Sequence, residues 1–135
     1  SLFAGGDVAQ FPLHGRDYAT RIEHWRVAEQ HGRHAAGAML GDTTPFTGIP
    51  FFWSAQYGPI HYVGHAKAYD ECHIEGDLEA GSYTAFYVKD GKVIAALGRG
   101  KADVTADLHG LMLISDPTPS RSSLEAVGWD PKKLL

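Results

Sequence analysis

The segment SYTAFYVKDGKVIAAL, residues 82–97, decides the fold of this chain. It holds two runs rich in aromatic and β-branched residues, Ser82–Val88 and Lys92–Leu97, with Asp90-Gly91 between them. An Asp-Gly pair between two such runs is the strongest short signal for a β-hairpin, because a type I′ turn needs positive φ at both central positions. We therefore expect two adjacent antiparallel strands joined by this turn.

Further strands and helices are predicted on both sides of the hairpin. Upstream, Ile60–Ala66 and Glu71–Glu75 alternate between apolar and polar residues, as half-buried strands do. Downstream, Ala102–Ile114 carries apolar residues at helical spacing, and Ser122–Val127 is compatible with a short helix. We therefore expect residues 50–135 to form an α+β unit, an antiparallel sheet with flanking helices.

A long helix is predicted closer to the N-terminus, over Thr20–Leu40. Apolar residues recur there at spacings of three and four, at Ile22, Trp25, Ala28, Ala35 and Met39. Thr20 is a candidate N-cap, and Glu23 three residues later would complete a capping box. Gly41 directly follows the last apolar residue and would end the helix.

The first residues of the chain predict a strand. Ser1–Ala4 is apolar and Gly5-Gly6-Asp7 interrupts it, a layout typical of the C-terminal end of a buried strand. One strand and one helix are too little to fold alone, and the turn-rich segment 42–49 follows them. The sequence therefore predicts two parts, residues 1–41 and residues 50–135, joined by a linker at residues 42–49.

Composition and charge argue against several classes of protein. The chain has 135 residues and a net charge of −4, and its basic residues are scattered, so we expect no nucleic acid partner. No apolar run approaches the roughly 20 residues of a membrane-spanning helix, so we expect no membrane span. The single cysteine, Cys72, cannot form an internal disulfide, which favours a reducing, cytoplasmic location.

The glycine-rich segment at residues 5–7 and the predicted helix start form one candidate ligand site. Gly5 and Gly6 would let a ligand approach the backbone, and Asp7 could accept hydrogen bonds from hydroxyl groups. The N-terminal turn of the helix, at Arg21–His24, offers N–H groups and a positive dipole end that suit negative charge. The alternative left open is an ordinary turn with an exposed aspartate.

A second candidate site lies in the aromatic segment IPFFWSAQYG, residues 49–58. Phe51 or Phe52 belongs to a core in any interpretation of this segment. Trp53 stands beside the polar residues Ser54 and Gln56, a pattern typical of a pocket wall that stacks on a flat ligand. The alternative is that the whole segment packs in the core.

Metal binding and nucleophilic catalysis find little support in the sequence. His31 and His34 share a helix face with His24 further back, yet no His-Glu-x-x-His pattern accompanies them. No Gly-x-Ser-x-Gly motif provides a nucleophile. We therefore expect neither a metal ligand nor a catalytic residue in this chain, and keep a histidine-based metal-binding domain as a third hypothesis.

Four blocks of sequence carry a family resemblance. They are LFAGGDVAQFPL (2–13), RIEHWRVAEQHGRHAAGAMLG (21–41), PFFWSAQYGPIHYVGHA (50–66) and IEGDLEAGSYTAFYVKDGKVIAAL (74–97). In this order they resemble the C-terminal part of FAD-dependent pyridine-nucleotide oxidoreductases of the ferredoxin/rubredoxin reductase and apoptosis-inducing-factor-like type. The resemblance implies that residues 1–41 end an FAD-binding domain and that residues 50–135 form the reductase C-terminal domain. It also implies that the Gly-x-Gly-x-x-Gly fingerprints for FAD and NAD(P) lie upstream.

The resemblance also implies cofactor contacts for six residues. Gly6 and Asp7 would lie at the ribityl or pyrophosphate part of FAD. The helix start at Glu23, His24 and Trp25 would face the pyrimidine edge of the isoalloxazine ring and stabilise charge on the reduced flavin. Trp53 would lie near the flavin, where nicotinamide or an electron acceptor approaches.

The implied activity of the whole protein is electron transfer. Hydride would pass from NAD(P)H to FAD, and single electrons would then pass to a ferredoxin- or rubredoxin-like acceptor. We expect the isolated chain to be inactive and to bind FAD without useful affinity, because it holds only part of the flavin site. The alternative is a non-enzymatic domain for dimerisation or partner docking, and a homodimer is left open in either case.

Overall fold

The structure, a computed structural model, describes residues 2–135. Its internal contacts divide the chain into two compact units, one ending at Gly48 and one covering Ile49–Leu135. Among the described residues no helix is both long and apolar enough to cross a bilayer.

The first unit contains one long helix, a short hairpin and a 3₁₀ turn. The 3₁₀ turn spans Gly6–Val8, the hairpin pairs β1 (Phe11–Pro12) with β2 (Ala19–Thr20), and the helix α1 spans Trp25–Met39. A small core of Phe11, Leu13 and Val27 joins these elements, with Tyr18, Ile22 and Phe46 packed around it.

The predicted N-terminal strand is wrong within the described residues. Leu2–Ala4 has no regular secondary structure, the following glycines enter the 3₁₀ turn, and Ser1 lies outside the described residues. A strand needs a neighbour that accepts and donates its ladder hydrogen bonds. Among the described residues of this unit, β1 and β2 pair only with each other, so residues 2–4 have no such neighbour.

The predicted helix is confirmed, but its start is wrong. Thr20 does not cap the helix because its backbone pairs with Phe11 in the hairpin. The helix begins five residues later, and His24 is its N-cap. The C-terminal stop is confirmed, since Gly41 has a φ of +95° and its N–H donates to the Ala38 carbonyl.

The second unit is an antiparallel sheet with helices against one face. Its strands are β3 (Phe51–Ser54), β4 (Ile60–Gly64), β5 (Glu71–Asp77), β6 (Ser82–Lys89) and β7 (Lys92–Arg99), in the spatial order β3-β4-β7-β6-β5. The helices α2 (Ala102–Ile114) and α3 (Arg121–Ala126) follow, and a 3₁₀ turn at Pro131–Leu134 ends the chain. The predicted α+β class is confirmed, and so is the β6–β7 hairpin, with φ of 49° at Asp90 and 71° at Gly91.

The core of this unit lies between the sheet and α2. Phe86, Val93 and Ala96 of the central strands pack against Leu108 and Met112 of the helix. These five residues are at most 1% exposed. The opposite face of the sheet carries a row of aromatic rings, among which Phe52 stacks on Tyr62 at a centroid distance of 5.2 Å.

The C-terminal tail closes this core. Val93 donates its N–H to Pro119, and Arg121 donates its N–H to Gly91, so the tail is tied to the β6–β7 hairpin. Leu124 is fully buried, and Trp129 stacks on the ring of His73 at 3.8 Å. The tail, to which the sequence assigned no role, therefore belongs to the folded unit.

Candidate functional site

The glycine-rich segment packs closely on α1. A Cβ atom on Gly5 would lie 3.1 Å from the Cβ of His31, and one on Gly6 would lie 3.4 Å from the Cβ of Ala28. Gly6 also has a φ of +76°, a conformation that side chains rarely adopt. The positive φ of Gly6 and the tight contact at Gly5 therefore favour glycine at both positions for the approach of the chain to its own helix.

Asp7 is exposed in the 3₁₀ turn that follows this contact. Its neighbour Gly6 packs against Ala28, three residues along the helix from Trp25. The backbone beside Asp7 therefore packs against Ala28, near the start of α1, and the exposed carboxylate follows this contact in the chain.

The N-terminus of α1 is capped by a histidine ring. His24 accepts a hydrogen bond at Nδ1 from the N–H of Arg26, with a distance of 3.2 Å. The helix N-terminus predicted at Arg21–His24 therefore begins later, and the N–H of Arg26 in its first turn is already paired. Because Nδ1 accepts this bond, the ring proton of His24 lies on Nε2.

Glu23 and Trp25 flank this cap on the surface. Glu23 forms an ion pair of 2.7 Å with Arg21, and both side chains are more than half exposed. Trp25 is 58% exposed, and its ring lies 5.8 Å from that of His24. A large exposed indole beside a polar helix end provides a flat surface for a ring-shaped ligand.

Trp53 belongs to the second unit. It lies in β3, an edge strand of the sheet, opposite His61 of β4, and it is 45% exposed. Its neighbour Phe51 points to the same face of the strand and packs on the core. The interpretation of Phe51 as a core residue is confirmed, and Trp53 lies outside that core.

His31, which the sequence groups with His24 and His34 as a weak metal-ligand candidate, is instead a buried hydrogen-bond acceptor. It is 6% exposed and accepts a hydrogen bond at Nδ1 from the N–H of Gly6, at 3.2 Å. Burial lowers its pKa, and the nearby charge of His34 lowers it further. The sequence signal for the burial of His31 is its position four residues after Val27, which places both residues on the same face of the helix.

A cavity of about 640 Å³ in the first unit lies between the β1 segment and the C-terminal half of α1. None of the six predicted cofactor residues lines it, whereas a smaller cavity of about 390 Å³ is bordered by Gly6, Ala28 and Gly32. Within residues 2–135 no three His, Cys, Asp or Glu side chains are placed to share a metal ion.

Comparison with known proteins identifies the family. The Reductase C-terminal family matches residues 51–116. Apoptosis-inducing factor 3 of Homo sapiens is 38% identical over 96 residues, which cover 70% of this chain and 16% of that protein. The ferredoxin–NAD(+) reductase component of a 3-phenylpropionate/cinnamic acid dioxygenase from Photorhabdus laumondii is 32% identical over 127 residues, or 92% of this chain and 31% of that protein.

Solved structures agree with these relatives. The ferredoxin reductase for the CYP199A2 system of Rhodopseudomonas palustris superposes with a TM-score of 0.81 at 26% identity, over 96% of this chain and 32% of that one. The putidaredoxin reductase–putidaredoxin complex gives a TM-score of 0.74 at 25% identity, over 81% of this chain and 26% of that one. The chain therefore spans at most about a third of the relatives it matches. It belongs to the ferredoxin reductase and apoptosis-inducing-factor-like family, of which it represents the C-terminal part.

Proposed function

We propose that this chain is the C-terminal part of an FAD-dependent NAD(P)H oxidoreductase that passes electrons to a ferredoxin- or rubredoxin-like protein. The observation that carries the proposal is the likeness to ferredoxin reductases, which extends over 92% of the chain in sequence and 96% in structure. The likeness includes both units, so it is not limited to the sheet domain.

The first unit would contribute one end of the FAD site. An exposed carboxylate at Asp7, next to a glycine that packs on Ala28 near the start of α1, suits the hydroxyl-rich, polar part of a flavin nucleotide. When bound, FAD accepts a hydride from NAD(P)H and releases its electrons one at a time. Gly6 would keep the backbone close enough to α1 for Asp7 to accept hydrogen bonds from the ribityl or pyrophosphate region.

The helix start would bind the edge of the flavin ring. His24 would donate through Nε2, while the positive end of the α1 dipole favours negative charge beside it. The exposed indole of Trp25 would pack against the flavin ring, and Glu23 would hold Arg21 at the same edge of that ring. These residues position and stabilise, and none of them forms a bond with substrate.

Trp53 would stand where the electron acceptor or nicotinamide approaches the flavin. Its exposed indole on an edge strand is available to a flat ligand or a partner surface. The relative named as a putidaredoxin reductase was solved together with putidaredoxin, which supports a ferredoxin-like partner here. The isolated chain would be inactive, because Asp7 and the helix start supply only a part of the flavin site.

The test uses the product of the whole gene that encodes this chain. We expect it to reduce a ferredoxin-type protein with NADH or NADPH as the electron donor. Asp7→Asn should weaken FAD binding about 10- to 100-fold, because a hydrogen bond to a charged group contributes about 1.5–3 kcal/mol. Asp17→Asn, at an exposed aspartate of the same unit, is the matched control and should bind FAD normally.

A second candidate function is partner docking without catalysis. The sheet face opposite α2 carries a chain of ring contacts, stacked for Phe52–Tyr62, tilted for Tyr62–Tyr87 and edge to face for Tyr69–Tyr87, and the helices of this unit do not cover it. Such a surface is typical of an interface. Whole-gene product that oxidises no NAD(P)H and self-associates in sedimentation would favour docking over the reductase.

A further inference from the structure

We propose that His31 is a positioning residue whose neutral ring fixes the Gly6–Val8 turn on α1 and thereby sets the place of Asp7. The main observation is the buried hydrogen bond from the Gly6 N–H to His31 Nδ1, at 3.2 Å across 25 positions of sequence. The other bond of the turn, from the Ala9 N–H to the Gly6 carbonyl at 2.9 Å, is local and cannot attach the turn to the helix.

The ring of His31 is held in one orientation by two aromatic neighbours. Its centroid lies 4.4 Å from that of Phe11 and 4.7 Å from that of Phe46, and both contacts are edge to face. With 6% of the residue exposed, the ring cannot turn away from Gly6 without losing both contacts. The acceptor is therefore preorganised for the turn.

The glycine contact and the hydrogen bond act at the same place. A Cβ on Gly5 would meet the Cβ of His31 at 3.1 Å, so the backbone of the turn lies directly on the base of this side chain. Any larger residue at position 5 would lift the chain and lengthen the bond from Gly6. The double glycine and His31 thus act together to attach the turn to α1, although 25 positions separate Gly6 from His31.

The bond requires the neutral ring. Nδ1 can accept from the Gly6 N–H only when it carries no proton, so the proton of the neutral ring lies on Nε2. Nε2 is buried and has no hydrogen-bond partner among the described residues. An apolar side chain would avoid that cost, so the bond made by Nδ1 explains why an imidazole is buried here.

The charged groups around His31 agree with a neutral ring. His34 lies one turn further along α1, and Asp42 interacts with His34 beyond it. Asp7 follows Gly6 in the turn, while Phe11 and Phe46 are apolar. Burial and the charge of His34 both lower the pKa of His31, which keeps Nδ1 available as an acceptor near neutral pH.

The role of Asp7 as a ligand group rests on the proposed function, but the anchoring of the turn does not. The first test therefore measures amide hydrogen exchange by NMR in the chain itself. His31→Leu removes the acceptor, and we expect the Gly6 amide to exchange at least about fivefold faster. His31→Gln retains an acceptor, and His34→Leu alters a ring that also packs on Phe46, at 5.4 Å. Both should change the Gly6 rate less than about twofold.

Two outcomes of this test would overturn the proposal. One is an unchanged Gly6 rate in a folded His31→Leu variant, and the other is an equal acceleration in His34→Leu. Should His31→Leu fail to fold, nitrogen NMR of the unaltered chain decides. The proposal requires Nδ1 of His31 to be unprotonated and Nε2 protonated near neutral pH, and a proton on Nδ1 contradicts it.

The functional consequence is tested in the whole gene product. We expect His31→Leu to weaken FAD binding about tenfold and His31→Gln to restore most of it, because only the acceptor distinguishes the two variants. Equal loss in both variants would assign His31 to packing alone. A whole product that binds no flavin would refute the proposed function, while the exchange rate of Gly6 would still decide whether His31 anchors the turn.

Discussion

The two units of this chain use their residues in different ways. The second unit has a five-stranded sheet and a continuous core that includes its C-terminal tail. The first unit has a small core of Phe11, Leu13 and Val27, two-residue strands and one helix, and its turn is attached by the His31–Gly6 bond. Stability therefore resides mainly in the second unit, while the predicted cofactor residues lie mainly in the first.

The largest effect is expected for the tail of the second unit. Leu124→Ala removes a side chain with no exposed surface, so we expect a loss of about 2–5 kcal/mol in the free energy of unfolding. Leu113→Ala, at a residue of α2 that is 53% exposed, is the control and should cost less than about 0.5 kcal/mol. Amide exchange in β6 and β7 measures both, and a small loss for Leu124→Ala would mean that the tail is not part of the core.

A smaller loss is expected for a glycine in the sheet. Gly64 has a φ of +76°, and a Cβ there would lie 2.3 Å from the Ile94 carbonyl oxygen. Because the obstacle is backbone, we expect Gly64→Ala to destabilise the second unit by roughly 1–3 kcal/mol. Denaturant unfolding followed by the fluorescence of buried Trp129 would show the shift, and an unchanged midpoint would contradict the strained geometry.

The opposite sign is expected for a glycine of the first unit. Gly32 lies inside α1, and a Cβ at this position would meet nothing within 4 Å. Gly32→Ala should therefore stabilise α1 in this chain by about 0.5–1 kcal/mol through helix propensity. Slower exchange of the α1 amides would confirm this, whereas faster exchange would reveal a close contact at Gly32.

The smallest effect is a difference in pH dependence. The folded first unit lowers the pKa of His31 from its ordinary 6.5, so this contribution is complete above about pH 6.5 and is lost as pH falls through the lowered value. In the second unit Arg121 lowers the pKa of Glu71 from its ordinary 4.5, so that contribution persists to a lower pH. Acidification to about pH 5 should lower the exchange protection of α1, measured relative to the intrinsic rate at each pH, before that of β6 and β7.

Two variants separate these pH windows. His31→Gln should abolish the loss of protection in α1 between about pH 7 and pH 5, because the titrating ring is gone. Glu71→Gln should leave that loss unchanged and remove part of the acid sensitivity of the second unit below about pH 4.5. Loss of protection over the same pH range in both units would contradict the predicted difference in their pH dependence.

The sequence predicted the features whose causes are local. The hairpin at residues 82–97 followed from strand-forming runs around Asp90-Gly91, and α2 matches its predicted bounds because its apolar spacing is regular. The end of α1 followed from Gly41 in the same way. Each signal lies within a few residues of the structure it predicts.

The features that the sequence did not predict correctly depend on residues that are distant along the chain. Thr20 could have capped a helix, but its pairing with Phe11 prevailed. The burial of His31 is produced by Phe11 and Phe46, and that of Trp129 by His73 and Phe86. No periodicity within a short window reports such contacts. The residue pattern alone predicted a ligand site at Gly6 and Asp7 and another at Trp53, whereas FAD as the ligand was predicted only by resemblance, because no short pattern in this chain specifies a flavin.

The absorption spectrum of the purified whole gene product tests the central claim most directly. The account predicts a yellow protein whose oxidised flavin bands bleach on anaerobic addition of NADH or NADPH and return when a ferredoxin-type acceptor is added. A colourless product that binds no added FAD and oxidises neither nucleotide would contradict the account.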